Sequence, residues 1–193
     1  MKLKSILLGA TVMVAGALTS LNAQAQEVFH KGTSTASVLV GFGGTTLAGS
    51  GQKMLVPPIQ LTYEYGVVDG LINGNASIGV GAAVGYAANK YAIQGYASAY
   101  QNYGFFGARG SFHYQFVDKL DTYAGIFLGC IMSKASFKNE TINKLYVDNV
   151  ATATTFGWAS MIGARYYFTP TMAVNAELGY GISIFNVGLT FRF

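Results

Sequence analysis

Apolar and polar residues alternate along most of the chain beyond residue 35. The alternation has a period of two residues, and turn-forming residues divide it into eight segments. Each segment has roughly the 9 to 11 residues that a tilted membrane-spanning strand needs. An even number of strands lets an antiparallel sheet close on itself, so the pattern predicts eight antiparallel strands. Alternate residues form a bulky apolar face in the ranges 36–42, 59–67, 78–86, 106–116, 124–132, 156–168, 172–180 and 187–193.

The apolar face of each segment is defined by bulky apolar residues alone, without reference to charge. All charged residues of these segments nevertheless lie on the opposite face. A Lys or Arg that faces lipid at mid-depth costs about 2 to 4 kcal/mol, so a bilayer would exclude charge from one face. A soluble up-and-down barrel such as a lipocalin would have the reverse polarity, apolar inside and polar outside. The inward charged residues are Glu64, Arg109, Arg165, Glu177 and Arg192.

These five charges are predicted to form an ion-pair network inside the barrel. The interior of an eight-stranded barrel is only wide enough for side chains to fill it, so inward charges must pair with one another. Such a network can act as a polar gate or as a structural plug. The narrow interior favours the plug.

The composition agrees with a membrane protein that has no spanning helix. The chain is 51% hydrophobic and 10% charged, whereas charged residues make up about a quarter of an ordinary soluble domain. The most apolar stretch beyond the amino-terminal region, residues 77–88, is interrupted by Gly79, Gly81 and Gly85, and a spanning helix needs about 20 apolar residues. Only helices and closed barrels satisfy every backbone group in lipid. The predicted fold is therefore all-β, an eight-stranded antiparallel up-and-down transmembrane β-barrel.

Short and long connections are predicted to alternate. Residues 68–73, 117–121 and 169–171 are tight, with Asp69, Gly70 and Pro170 as turn formers, and residues 43–56, 87–100 and 133–154 are longer. The fourth connection of the long set, residues 181–184, is almost a hairpin. With both termini in the periplasm, the long loops face outside. The fifth segment is apolar on both faces, so its register stays open.

The first 25 residues have the features of a secretory signal peptide. Lys2 and Lys4 precede the apolar run 6–21, and Ala23-Gln24-Ala25 is a small-x-small cleavage site. The predicted organisation is a signal peptide over residues 1–25 and one barrel domain over residues 26–193. Removing Lys2 and Lys4 lowers the formal charge from +4 to +2, and no basic run indicates nucleic acid.

The residue types that carry chemistry are sparse. The single Cys130 excludes an intramolecular disulfide and a cysteine-based metal cluster, and it is predicted to face outward as a small hydrophobe. Ser111 and His113 share one face, which would suit a nucleophile and its base, but no Asp is near them in sequence. A hydrogen-bonded histidine inside the barrel is the favoured interpretation. No catalytic residue, cofactor or metal is predicted.

The last strand carries the most specific motif. Asn186, Gly188, Phe191 and Phe193 match the pattern polar, x, Gly, x, x, aromatic, x, aromatic at the extreme carboxy-terminus. With Tyr63-Glu64-Tyr65-Gly66 and Arg109-Gly110-Ser111-Phe112-His113-Tyr114, this motif resembles the small outer-membrane proteins of the OmpX and opacity-protein type, in the version found in Bacteroidetes-like bacteria. The resemblance implies that the barrel assembly machinery recognises the last strand, and that roles in adhesion, host contact or envelope integrity are common.

Three classes of function follow from these observations. The first is a structural or surface-interaction protein of the outer membrane of a Gram-negative bacterium, surrounded by lipid, monomeric, and in contact with an extracellular partner through its long loops. The second is a small pore or a carrier of an apolar ligand. The third is a membrane enzyme. The filled lumen disfavours the second class, and the lack of an acid-base set disfavours the third. In the third long loop, Lys134, Lys138, Glu140, Lys144 and Asp148 are predicted to be a solvated face.

Overall fold

A computed structural model describes residues 28–43, 52–91, 99–137 and 153–193. Each strand pairs antiparallel with the next, and the last pairs with the first, so the sheet closes into a barrel. This confirms the predicted fold class. The predicted signal peptide and the loop residues Lys138, Glu140, Lys144 and Asp148 lie outside the described residues. The strands are β1 (Ser34–Phe42), β2 (Gln52–Gly70), β3 (Ala76–Tyr91), β4 (Ala99–Val117), β5 (Leu120–Phe137), β6 (Ala153–Tyr167), β7 (Met172–Tyr180) and β8 (Phe185–Arg192).

The outward and inward faces follow the alternation in the sequence. Val84 and Leu128 are exposed on the outer surface, while Leu39 and Arg165 are fully buried inside. The open register of the fifth segment is settled in β5, where Tyr123 and Phe127 are buried inside the barrel. Cys130 lies on the outward face and is half-buried. Side-chain alternation is therefore sufficient to assign faces along almost every strand.

One outward assignment is wrong. The sequence pattern places Val67 on the lipid-facing side of β2, but the register of β2 against β3 shifts between Gly66 and Val68. Val68 pairs with Ile78 and is 39% exposed, which leaves Val67 as the extra residue of a β-bulge. A bulge moves every later residue of its strand to the other face.

Strands β2 to β6 are longer than predicted. They contain between 15 and 19 residues, whereas β1, β7 and β8 contain 8 or 9. Many residues that the sequence pattern assigns to long loops belong to strands. Strands β2 to β6 continue to pair with one another beyond the level at which β1 and β7 end. The last pair of β1 and β2 is Val40 with Ile59, and the last pair of β6 and β7 is Ser160 with Tyr180. We call residues 52–58, 87–91, 99–103, 133–137 and 153–159 the protruding sheet.

The tight connections lie at the end of the barrel that carries Val28 and Phe193, here called the terminal end. A two-residue turn joins β4 to β5, and Lys119 in it has a left-handed φ of 63°. Thr169 Oγ1 accepts a hydrogen bond from Met172 N at 2.9 Å in the turn before β7. A single helical turn, α1 (Leu71–Gly74), joins β2 to β3, and its Ile72 and Asn73 also have positive φ. Among the described residues, no helix is long and apolar enough to cross a membrane.

Outward aromatic side chains form two girdles. On β6, Trp158 and Tyr166 are both more than half exposed and are eight residues apart, which is about 20 Å along the barrel axis for a tilted strand. Trp158 packs on Tyr180 of β7 with ring centroids 5.4 Å apart. This spacing fits the apolar band of a transmembrane barrel, about 25 Å tall and flanked by aromatic residues. The loop-end girdle contains Phe42, Tyr86, Trp158, Tyr180 and Phe185, and the terminal-end girdle contains Tyr65, Tyr114, Phe116, Tyr166, Phe168 and Phe193.

Candidate functional site

The barrel interior near the terminal end holds a buried charge cluster. Arg165 donates to Glu64 Oε2 at 2.5 Å and to Asp121 Oδ2 at 3.3 Å. His113 lies between the same two acids, with Nδ1 2.8 Å from Asp121 Oδ1 and Nε2 3.1 Å from Glu64 Oε1. All four residues are at most 2% exposed. Since each carboxylate contacts both Arg165 and His113, the four side chains form a closed ring across the lumen.

Phe29 closes this cluster on the side of the terminal end. Its ring stacks on His113, with centroids 3.9 Å apart and planes 17° apart, and Ser77 Oγ donates to Phe29 O at 2.8 Å. The neighbouring Val28 donates through its backbone N–H to Gln115 Oε1 at 2.8 Å. Phe29 and Val28 are 4% and 5% exposed. Residues 28 and 29, which the sequence pattern assigns to no strand, therefore plug the terminal end.

A second ion pair occupies the middle of the lumen. Arg109 donates to Glu177 Oε1 at 2.6 Å, and Tyr123 donates to the same oxygen at 2.7 Å. Gln60 donates to the other oxygen, Glu177 Oε2, at 3.3 Å. The guanidinium groups of Arg109 and Arg165 lie 5.3 Å and 4.5 Å from the centroid of the Tyr123 ring. Tyr123 thus connects the two charged layers.

The lumen toward the loop end is apolar. Phe105 and Phe127 meet edge to face with centroids 5.8 Å apart, and both are less than 5% exposed. Ile131, Met161 and Ile182 pack against them, and Ile182 comes from the connection between β7 and β8. A cavity of about 40 Å³ remains between this layer and the Arg109–Glu177 pair. That volume is large enough to hold ordered water.

The structure brings together four of the five charged residues predicted to share the lumen, and it separates the fifth. Arg192 contacts no carboxylate among the described residues: it donates to Val28 O at 2.8 Å and to Pro170 O at 2.6 Å, and it stacks 5.1 Å from the Tyr167 ring. Its place in the network is therefore corrected to a clamp on the backbone at the terminal end. Alternation predicts correctly that Arg192 points to the inner side of β8. It does not predict how deep in the lumen the side chain lies.

The lumen contacts of three residues, Asp121, Tyr123 and Phe29, are not predicted from the sequence. Asp121 is assigned to a turn, yet the turn is only two residues long, so Asp121 reaches inward near His113. The position of Asp121 could have been found from the pairing of His113 with Tyr123. Asp121 is two residues before Tyr123 on the same face, so it is a diagonal neighbour of His113. Tyr123 has no charge to mark it, and Phe29 lies before the first alternating segment.

Ser111 and His113 do not form a catalytic pair with access to substrate. Both are buried, the histidine nitrogens contact Asp121 and Glu64, and Phe29 covers the ring. Ser111 Oγ has no hydrogen-bond partner among the described residues. Among the described residues, no group of three side chains could hold a metal ion.

The four residues of the carboxy-terminal motif have distinct surroundings. Asn186 is buried and accepts from Ser183 Oγ at 2.5 Å, while Gly188 packs directly on the backbone of Val38 in β1. Phe191 and Phe193 face outward, and Phe193 lies 6.4 Å from the Tyr63 ring. A Cβ at Gly188 would overlap Val38 O, so the glycine permits the close approach of β8 to β1 that seals the barrel.

No protein-family model matches the chain, and no curated protein matches it. Solved structures do match, and they define its class: small eight-stranded transmembrane β-barrels of the outer-membrane type. The chain is similar to Ail of Yersinia pestis in complex with the heparin analogue sucrose octasulfate, at 11% identity over 84% of this chain and 99% of Ail, with a TM-score of 0.50. It is also similar to a de novo designed transmembrane β-barrel (16% identity, 84% and 97% coverage, TM-score 0.48) and to OprG of Pseudomonas aeruginosa (12%, 87% and 99%, TM-score 0.38).

Proposed function

We propose that this chain is a non-conducting outer-membrane protein of a Gram-negative bacterium whose protruding sheet binds an extended segment of an extracellular partner. The observation that carries the proposal is the unequal length of the strands. Because β2 to β6 continue beyond β1 and β7, the protruding sheet has two edges that pair with no other described strand. An open sheet edge is a template for strand addition.

The edge formed by β2 is protected. Pro57 and Pro58 lack backbone N–H donors, Lys53 is exposed, and the register of β2 shifts twice between Met54 and Ile59. Prolines, lysines and bulges are the devices by which natural edge strands avoid pairing with other chains. This edge is therefore a poor template.

The edge formed by β6 has none of these devices. Its residues 153–157 are Ala-Thr-Thr-Phe-Gly, without proline or charge, and in the described residues no strand pairs with them on the side away from β5. Thr154, Thr155 and Phe156 are exposed. Threonine and aromatic residues favour strands. The β6 edge is the expected site of strand addition, with main-chain hydrogen bonds supplying affinity and alternate side chains supplying specificity.

The interior supports the non-conducting part of the proposal. Two charged layers, an apolar layer and the Phe29 plug fill the lumen in series, as an eight-stranded barrel allows. The same burial keeps His113 away from any substrate, which argues against an enzyme. A surface role in adhesion, host contact or envelope integrity agrees with both features.

Peptide binding at the β6 edge tests the proposal. We would select extended ten-residue peptides from a displayed library against the protein in nanodiscs, and then measure their affinity for Thr155→Lys and Ser133→Lys. Ser133 pairs on both sides, with Tyr103 and Ala153, so its substitution adds the same charge away from the edge. We expect Thr155→Lys to abolish binding, Ser133→Lys to preserve it, and N-methylation of alternate peptide residues to abolish it. Equal binding to both variants, or no selected peptide, would refute strand addition.

A further inference from the structure

Three lysines share the outward face of the protruding sheet. Lys53 of β2 lies directly opposite Lys90 of β3, and directly opposite residues in an antiparallel pair have Cβ atoms about 4.5 to 5.5 Å apart. The register from β3 through β4 to β5 is continuous over this region, so Lys134 lies on the same face as Lys90. Two like charges directly opposite each other are destabilising unless a counter-charge is present.

No acidic side chain balances these lysines within the described parts of the protruding sheet. The described acids Glu64, Asp121 and Glu177 are buried in the lumen, and Asp69 and Asp118 are at the terminal end. Among the described residues, positive charge without a neighbouring acid thus lies at one level of the outer surface. A negatively charged partner would relieve the repulsion.

Neighbouring residues hold this cluster in place. Lys90 is half-buried, with its Nζ 5.8 Å from the centroid of the Tyr100 ring. Tyr86 donates its hydroxyl proton to Asn102 Oδ1 at 3.0 Å, which fixes the Asn102 amide with its NH2 group turned away from Tyr86. Asn102 lies directly between Ala88 and Lys134 on the same face. The ammonium groups of Lys53, Lys90 and Lys134 and the amide donor of Asn102 therefore lie on one face of the sheet.

The height of the cluster on the barrel favours a lipid as its partner. Tyr86 belongs to the loop-end girdle, and Lys90 is four residues beyond it on β3, about 10 Å further along the barrel axis. Lysine side chains are long enough to reach back toward the membrane interface. Phosphate groups of lipids in the facing leaflet are located there.

We infer that Lys53, Lys90 and Lys134, with Asn102, bind the phosphorylated headgroup of a lipid in the leaflet around the loop end. The inference rests on the proposed outer-membrane location. It concerns the outward face of β2 to β5, which is separate from the β6 edge.

Lipid binding by charge-removal variants tests the inference. The protein would be placed in phosphatidylcholine nanodiscs containing a fluorescent, bis-phosphorylated lipid A, and the bound fraction compared for Lys53→Gln/Lys90→Gln and for Lys31→Gln/Lys119→Gln. Lys31 and Lys119 are exposed at the terminal end, so the second variant removes the same charge from the opposite end. At about fivefold per lysine near an anionic headgroup, we expect the first variant to bind roughly 25-fold more weakly and the second to bind like wild type.

Two further arms separate the sources of phosphate. Dephosphorylated lipid A should lose the preference for wild type, and inorganic phosphate at millimolar concentration should not displace the lipid. Equal loss in both lysine variants, equal binding of the dephosphorylated lipid, or full displacement by inorganic phosphate would each overturn the inference. Heat-modifiable migration of every variant checks the folded barrel, and peptide binding at the β6 edge is scored separately, so failure of either proposal is recognised on its own.

Discussion

Phe29 stacks face to face on His113 at a centroid distance of 3.9 Å, and this contact joins the start of the described chain to the buried charge cluster of the lumen. The ring seals the cluster from the terminal end, since Phe29 is 4% exposed. Four ionisable side chains therefore remain inside a barrel without contact with bulk water. The stability of the barrel depends on a residue outside all eight strands.

Phe29→Ala should destabilise the barrel. Truncation of a buried phenylalanine costs about 3 to 5 kcal/mol, and here it also admits water to the charge cluster. Urea unfolding in detergent micelles, followed by tryptophan fluorescence, measures the loss. Phe168→Ala, at an exposed outward position of the same end, is the control and should change the free energy of unfolding by less than about 1 kcal/mol in micelles. Equal effects of the two substitutions would show that residue 29 is not a plug.

Glu64→Ala and Arg109→Ala should each lower the melting temperature without opening a conductance. Arg109→Ala leaves the buried Glu177 without its ion-pair partner, and Glu64→Ala leaves the buried Arg165 with only the more distant Asp121. Removing one partner of a buried ion pair costs about 3 to 5 kcal/mol. Melting is followed by heat-modifiable gel migration, and conductance is recorded in planar bilayers. Arg192→Ala is the comparison and should lower the melting temperature less, because its partners are two uncharged backbone carbonyls near the surface. A large, stable conductance from either variant or from wild type would contradict the plug interpretation.

Gly163→Ala should destabilise the barrel, whereas Gly110→Ala should not. A Cβ at Gly163 would overlap the ring of Tyr123, which is buried and cannot move without breaking its hydrogen bond to Glu177. Overpacking of this kind costs about 1 to 3 kcal/mol. Nothing lies within 4 Å of a Cβ at Gly110. Chemical denaturation of both variants makes the comparison, and similar midpoints would mean that the Tyr123 ring adapts to the added methyl group.

Deletion of Phe193 and the substitution Arg192→Ala should affect different steps. The Phe193 side chain is 72% exposed and contributes little to packing. The main effect of its deletion should therefore be on recognition of the carboxy-terminal motif by the assembly machinery. Arg192 binds Val28 O and Pro170 O, so its loss should mainly lower stability after insertion. Cell fractionation with pulse labelling measures insertion, and thermal melting of the inserted protein measures stability. Identical insertion defects in both variants would remove the distinction.

Side-chain alternation was enough to predict the strand number, the barrel and nearly all faces, because lipid and a filled lumen impose opposite polarity on alternate residues. It failed at Val67, where a bulge adds a residue, and at the ends of β2 to β6, where pairing continues without a change in polarity. Alternation gives the face of a residue but not its depth, which is why Arg192 was placed in the wrong layer. Phe29 and Asp121 lie outside the alternating segments, so their lumen contacts required the structure.

The hydrogen bond from Arg192 to Val28 O spans 164 residues of sequence and closes almost the whole chain into a loop. Contacts of such high sequence separation form late, because the entropy of loop closure must be overcome before they contribute. Strand β8 is also the last of the eight strands to be synthesised. The barrel can therefore complete this contact only when its first described residues are already inside the terminal end, so seating of the plug and pairing of β8 with β1 belong to the same folding event.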